Sequence, residues 1–279
     1  MNKVLIIGLG LIGGSYAKGL SKKGYEVYAI DTNSKTINYA IDNKIIKDGA
    51  CEYNEEFIKG FDRIIFALTP KALLSTIENI KTFFKEGAII TDVTGIKEAV
   101  VYKIQDTLPA SVEYIGAHPM AGREVYGIEN ADDTIFHGAN YIITPTDTNT
   151  EKAISFAKEI ASALEFRKIS ILTPKEHDEM IAFLSQLAHC IAVALMTCKD
   201  SEFLVDYTGD SFRDLTRIAS INENMWAELF LMNKSALIKE MDSFIEHITL
   251  LRDYINNDEV EKIKEMMRLS TKRRSHFNK

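Results

Sequence analysis

The sequence has only three cysteines, Cys51, Cys190 and Cys198, too few and too scattered for a disulfide framework or a zinc site. Buried, reduced thiols in a cytoplasmic protein are the simplest reading. Basic charge is scarce too: 33 Lys and Arg stand against 40 Asp and Glu, a formal net charge of −7. No basic stripe precedes the C-terminal tail, so no nucleic-acid partner is expected. No apolar run reaches the length expected of a membrane span, so no membrane partner is expected either. Met1 leads straight into Val4-Leu5-Ile6-Ile7-Gly8 without a charged n-region or a small-residue cleavage site, which predicts no signal peptide. Internal repeats and low-complexity tracts are missing as well. What is present is an ordinary globular balance, 46% hydrophobic and 26% charged. The 279 residues suffice for one large domain or two modest ones.

Lys3–Gly8 is a Val- and Ile-rich run bounded by glycine and reads as a buried strand. A helical stretch to about Lys23 follows, then a strand over Tyr25–Ile30 and a helix over Ser34–Asn43. Further strands are predicted at Asp62–Leu68, Ala88–Asp92, Glu113–Ala117 and Tyr141–Thr144, with helices near Lys97–Thr107 and Thr150–Leu164. Pro70 suits a first helical turn. Such alternation predicts parallel pairing with helices on both faces of a sheet. From Lys175 to about Lys272 only long periodic helices are expected. One apolar stripe, Leu237, Met241, Phe244, Ile248, Leu251 and Ile255, has heptad spacing and suits either a core helix or a helix on a partner subunit. The change of pattern near residues 168–174 predicts an α/β domain over 1–170 and an all-α domain over 171–279.

Gly8-Leu9-Gly10-Leu11-Ile12-Gly13 follows the first strand and opens a helix, and Asp31 lies 18 residues beyond Gly13 at the end of the second strand. In that context the glycines predict a dinucleotide site on a Rossmann-type fold. Gly8 permits the tight turn, Gly10 lets backbone approach the pyrophosphate, and Gly13 lets helix and strand pack closely. The N–H groups around Leu11 and Ile12 then face the phosphates with the positive end of the helix dipole. Asp31 would accept from the adenosine ribose hydroxyls and oppose a 2′-phosphate, so NAD is the expected cofactor rather than NADP. A turn or capping role is the bland alternative for Asp31.

Oxidation of an alcohol by hydride transfer needs a group to take the hydroxyl proton. His118, in Gly116-Ala117-His118-Pro119-Met120-Ala121-Gly122-Arg123-Glu124, follows a strand and should sit at the carboxyl end of the sheet. Its run with Glu124 and Gly127 resembles the prephenate dehydrogenase family. So do Gly8–Ser15, Ser185-Gln-Leu-Ala-His189 and Phe212-Arg-Asp-Leu-Thr-Arg217-Ile-Ala, in the same order across nearly the whole chain.

The resemblance implies NAD-dependent oxidative decarboxylation of prephenate to 4-hydroxyphenylpyruvate in tyrosine biosynthesis. It gives His118 the proton-acceptor role, Arg217 a substrate carboxylate, and His189, beside Ser185, the substrate side chain. Glu124 would orient nearby groups. Arg213, Asp214 and Arg217 fall within one helical turn, and a guanidinium fork suits a carboxylate, which makes Arg213 a further candidate. Relatives carry a serine supporting the histidine where this chain has Gly95, so Thr94, or else a water, is expected to take over that contact. Gln186 and Ala188 replace a histidine and a proline common in relatives, which leaves an arogenate-preferring or broad cyclohexadienyl enzyme as the alternative. The resemblance also implies a homodimer through the helical domain. No fused mutase or regulatory domain is expected, and no metal ligands are assigned.

Overall fold

Apolar runs without a polar face can be buried only inside a sheet covered on both sides. The computed structural model describes residues 3–200 and 202–277 and gathers these runs into eight strands. They are β1 (Lys3–Ile7), β2 (Glu26–Ile30), β3 (Asp48–Ala50), β4 (Arg63–Phe66), β5 (Ile89–Asp92), β6 (Glu113–Pro119), β7 (Asn140–Thr144) and β8 (Lys168–Ile171). Between them run α1 (Leu11–Lys22), α2 (Ser34–Asp42), α3 (Glu55–Ile58), α4 (Pro70–Ile80), α5 (Glu98–Thr107) and α6 (Glu151–Ala163). The strand order is β3-β2-β1-β4-β5-β6-β7-β8. The chain winds outward from β1 to β3 and then crosses back to β4, so the order reverses between β1 and β4. In doubly wound sheets ligands bind at such a reversal, beyond the carboxyl ends of the strands.

Period two divides the core. Val4 and Ile6 join one buried cluster with Tyr16, Leu20 and Phe156, while Leu5 and Ile7 join the other with Leu73, Ile77 and Val101. Uniform parallel pairing does not hold: β7 runs antiparallel to β6, with His118 opposite Ile142. The β6–β7 connection carries only two short 3-10 turns, Ile128–Asn130 and Asp133–Phe136, so no full helix returns the chain to the far end of the sheet. β3 and β8 were not expected. Both are short, and the exposed pattern of β8 hides its strand character.

Helices follow from residue 174: α7 (Pro174–Ile181), a π-helical turn (Ala182–Leu187), α8 (Ala188–Thr197), α9 (Asp210–Thr216) and α10 (Glu223–Met232). A capping box between Thr173 and Glu176, with Pro174 at the first position, starts α7. By packing, the chain divides between Asn233 and Lys234, because α7 rests on α5 and β7, and α10 rests on α4. Strands thus stop some sixty residues before the first packed unit does. One stretch, Pro174–Thr197, is long and apolar enough by length and composition to cross a membrane, contrary to expectation. Its His177, Asp178 and Gln186 are nevertheless buried and hydrogen-bonded to other elements of the first unit, as befits a packed helix. The second unit pairs α11 (Lys234–Asn256) with α12 (Val260–Arg274). The whole heptad stripe lies on α11, where Phe244, Ile248 and Ile255 are exposed.

Candidate active site

The glycine turn between β1 and α1 has the geometry its spacing implies. Gly8 adopts φ +93°, and a Cβ there would lie 2.6 Å from the Ala67 carbonyl oxygen. A Cβ on Gly13 would lie 1.9 Å from the Gly8 oxygen, so helix and turn touch backbone to backbone. Gly10 is different: nothing stands within 4 Å of its Cβ position. It is also the N-cap of α1 and makes no side-chain cap bond, so the first-turn N–H groups at Leu11, Ile12 and Gly13 remain available to an anion. Asp31, at the end of β2, accepts from Leu9 N (2.8 Å) and Asn33 N (2.9 Å). Its carboxylate therefore braces the glycine turn. An open glycine, an uncapped helix start and a carboxylate one strand away fit a dinucleotide.

His118 is the penultimate residue of β6 rather than part of the following loop, so the sheet itself holds it. Its Nδ1 lies 2.8 Å from Nε2 of His177, and His177 Nδ1 lies 2.7 Å from Oδ1 of Asp178. A carboxylate can only accept, so His177 donates from Nδ1 and its Nε2 carries a lone pair. His118 must then donate from Nδ1, which leaves the lone pair on its own Nε2. Asp178 also accepts the backbone N–H groups of Lys97 (2.7 Å) and Glu98 (2.8 Å) at the start of α5. Burial holds both imidazoles below the ordinary histidine value, the neighbouring ring and Lys97 adding to the effect at His118.

Behind this chain Lys97 and Asp92 form a fully buried ion pair, Nζ to Oδ2 2.6 Å. Asp92 also accepts from Ala117 N at 3.1 Å, one residue before His118. Thr94 does not support His118. Its hydroxyl donates to Asp92 and lies 3.0 Å from the Ile96 carbonyl and 3.1 Å from Lys97 Nζ, because the turn after β5 points it inward. His177 partners His118 instead. Beside Nε2 the backbone is bare: a Cβ at Gly95 would meet His118 Nε2 and a Leu229 methyl at 3.7 Å each.

Arg217 pairs with Glu124 through an Nη1–Oε1 hydrogen bond, and both side chains are well exposed. Arg213 is not brought to this pair. It binds Asp210 at 2.8 Å on the solvated face of α9. His189 donates from Nδ1 to the Ser185 carbonyl (2.9 Å) in the π-helical turn and stacks on Trp226, with centroids 3.6 Å apart and planes at 30°. Trp226 and Leu229 are three residues apart in α10 and so share a face. One helix face therefore covers His189 at one turn and the space beside His118 at the next. Gln186, buried below, donates to the Leu229 carbonyl (3.0 Å) and accepts from Asn233 (2.8 Å), tying α10 to the π-helical turn.

His177, Asp178, Lys97 and Trp226 had no assigned role in the sequence. The one signal was His-Asp directly after the Thr173–Glu176 capping box, which puts both residues in the first turns of a helix.

The chain matches the family model for the prephenate dehydrogenase nucleotide-binding domain over residues 16–170 and that for the prephenate dehydrogenase dimerization domain over 173–269. It is 30% identical to the prephenate dehydrogenase of Bacillus subtilis, over 93% of this chain and 72% of that protein. It is 26% identical to the cyclohexadienyl dehydrogenase of Zymomonas mobilis, over 97% and 94% respectively. The crystal structure of prephenate dehydrogenase from A. aeolicus with hydroxyphenyl propionate and NAD+ superimposes with a TM-score of 0.89 at 28% identity, covering 100% of this chain and 99% of that one. The chain belongs to the prephenate dehydrogenase family.

Proposed function

We propose that this chain catalyses the NAD-dependent oxidative decarboxylation of prephenate to 4-hydroxyphenylpyruvate in tyrosine biosynthesis. The observation that carries the mechanism is the Asp178–His177–His118 chain, which leaves an unprotonated Nε2 beside the bare Gly95 backbone. Bound NAD supplies the hydride acceptor. Gly8, Gly10, Leu11, Ile12 and Gly13 would hold its pyrophosphate and Asp31 its ribose. His118 Nε2 takes the proton of the ring hydroxyl as the hydride leaves the same carbon, and that oxygen becomes a carbonyl. The ring carboxylate then departs as carbon dioxide, its bonding pair aromatises the ring, and His118 returns the proton to the phenolic oxygen. Atoms and charge balance with no further reactant.

Arg217 would bind a substrate carboxylate, exchanging its Glu124 partner for the ligand, while Ser185 and His189 would border the side chain. The similarity to a cyclohexadienyl dehydrogenase over nearly the whole of both chains favours arogenate as a second substrate. Arogenate carries an ammonium where prephenate has a keto oxygen. The exposed Phe244, Ile248 and Ile255 of α11 and the dimerization-domain match support a homodimer through the helical region. The cytoplasm is the proposed compartment, which suits three free thiols. The test is His118→Asn, expected to lower kcat by about 10²–10⁴-fold with little change in NAD affinity. A near-normal kcat would remove His118 from the chemistry.

A further inference from the structure

The hydrogen bond from His189 to Ser185 constrains what the ring can offer a ligand. A peptide carbonyl cannot donate, so Nδ1 keeps its proton whatever the charge of the ring. Among the described residues Nε2 has no hydrogen-bond partner. When the ring is neutral, Nε2 is an acceptor only; when protonated, it is a donor only. The two substrate side chains are complementary to these two states. An ammonium donates and cannot accept, whereas a keto oxygen accepts and cannot donate.

We infer that His189, locked by the Ser185 carbonyl and stacked on Trp226, is a specificity-determining residue whose neutral ring selects the amino substrate and whose protonated ring selects the keto substrate. This rests on the proposed dehydrogenase function and on the side-chain subsite beside His189. Burial pushes the ring below the ordinary histidine value, and Arg217 acts in the same direction, while the Ser185 bond and Glu124 oppose them. Of the elements packed on α8, α10 presents the uncharged indole of Trp226. α9 brings Asp210 and Arg213, paired with each other, and Asp214, all exposed. The acceptor state therefore prevails at neutral pH and the donor state on the acid side. Preference for the keto substrate should rise as pH falls.

The ratio of kcat/KM for prephenate to that for arogenate, measured from about pH 5 to about pH 8, isolates this effect, because ionisation of His118 affects both substrates alike and cancels. The ratio should rise roughly tenfold on acidification, the worth of one charged hydrogen bond. In His189→Gln, whose amide both donates and accepts, and in His189→Phe, which keeps the stack, the ratio should be flat. The same scan on binding of the products 4-hydroxyphenylpyruvate and tyrosine to the NAD-loaded protein, by calorimetry, gives a readout that needs no turnover. A flat wild-type ratio in both measurements, or an undiminished slope in both variants, overturns the inference alone. Absence of NAD reduction with either substrate overturns the proposed function, and the product scan still decides the role of His189.

Discussion

Replacing Asp178 by asparagine tests whether it sets the position of the proton on His118, two hydrogen bonds away. The carboxylate accepts three hydrogen bonds, from His177 Nδ1, Lys97 N and Glu98 N. An amide has one oxygen for them. If that oxygen keeps His177 and Lys97, the amide nitrogen confronts Glu98 N, and one buried donor goes unmet at about 1–3 kcal/mol of stability. If the amide turns over, it donates to His177 Nδ1 and reverses both tautomers, so that His118 carries its proton on Nε2 and cannot act as a base. The bias toward the productive state falls from a charged hydrogen bond, about 1.5–3 kcal/mol, to a neutral one of about 0.5–1.5 kcal/mol or to the opposite sign. The expected loss in kcat is about 10–100-fold, or roughly 1.4–2.8 kcal/mol. A carboxylate bonded directly to the catalytic imidazole can cost about 10⁴ on the same change; here one ring intervenes. Initial rates from NADH absorbance supply kcat, and nitrogen-15 shifts of the labelled histidines report the tautomers. A folded Asp178→Asn protein with kcat within about twofold of wild type and unchanged histidine shifts would refute the proton assignment.

Arg217→Ala should raise KM for prephenate about 10- to 100-fold, in line with roughly 1.5–3 kcal/mol for a charge-assisted contact, with a smaller effect on kcat; an unchanged KM would return Arg217 to a surface pair with Glu124. Asp31→Ala should cut the preference for NAD over NADP by at least about tenfold and also lower the melting temperature, since Leu9 N loses its acceptor; unchanged selectivity would leave Asp31 with the bracing role alone. Stability should depend on pH through the buried His177 and the half-buried His118. His118 and His177 are held below the ordinary value, so the unfolded chain binds more protons than the native one below about pH 6.5. Stability should therefore be complete above neutrality and decline as pH falls through that value. Denaturant melts showing no loss between about pH 7 and pH 5 would contradict the burial of neutral rings.

The cofactor half of the site was legible because its parts are close in sequence and their spacing is dictated by one turn. Gly8, Gly10, Gly13 and Asp31 span two strands and a helix; Gly8 and Gly13 answer local steric demands, while Gly10 leaves open space. His118 was legible from its strand and the run after it. Its partner was not: His177 comes from another helix 59 residues away, and only tertiary packing brings the rings together. The expectation for Thr94 failed for a related reason. Hydroxyl direction depends on the turn after β5, and the buried Lys97–Asp92 pair draws that hydroxyl inward. Arg213 and Arg217 look equivalent in sequence, four apart on the same segment. Their partners, Asp210 and Glu124, separate them. Antiparallel β7 was missed because strand direction depends on what the connection does, and no periodicity encodes that.

The Lys97–Asp92 pair constrains how this corner of the protein can change. Losing either partner alone strands a charge in a dry interior, at a cost of about 3–5 kcal/mol, whereas an uncharged, shape-matched replacement of both can be nearly neutral. Stepwise substitution must therefore cross a deep valley of poorly folded intermediates, and libraries built one residue at a time would record the two positions as immutable. Pairwise libraries would find the permitted combinations.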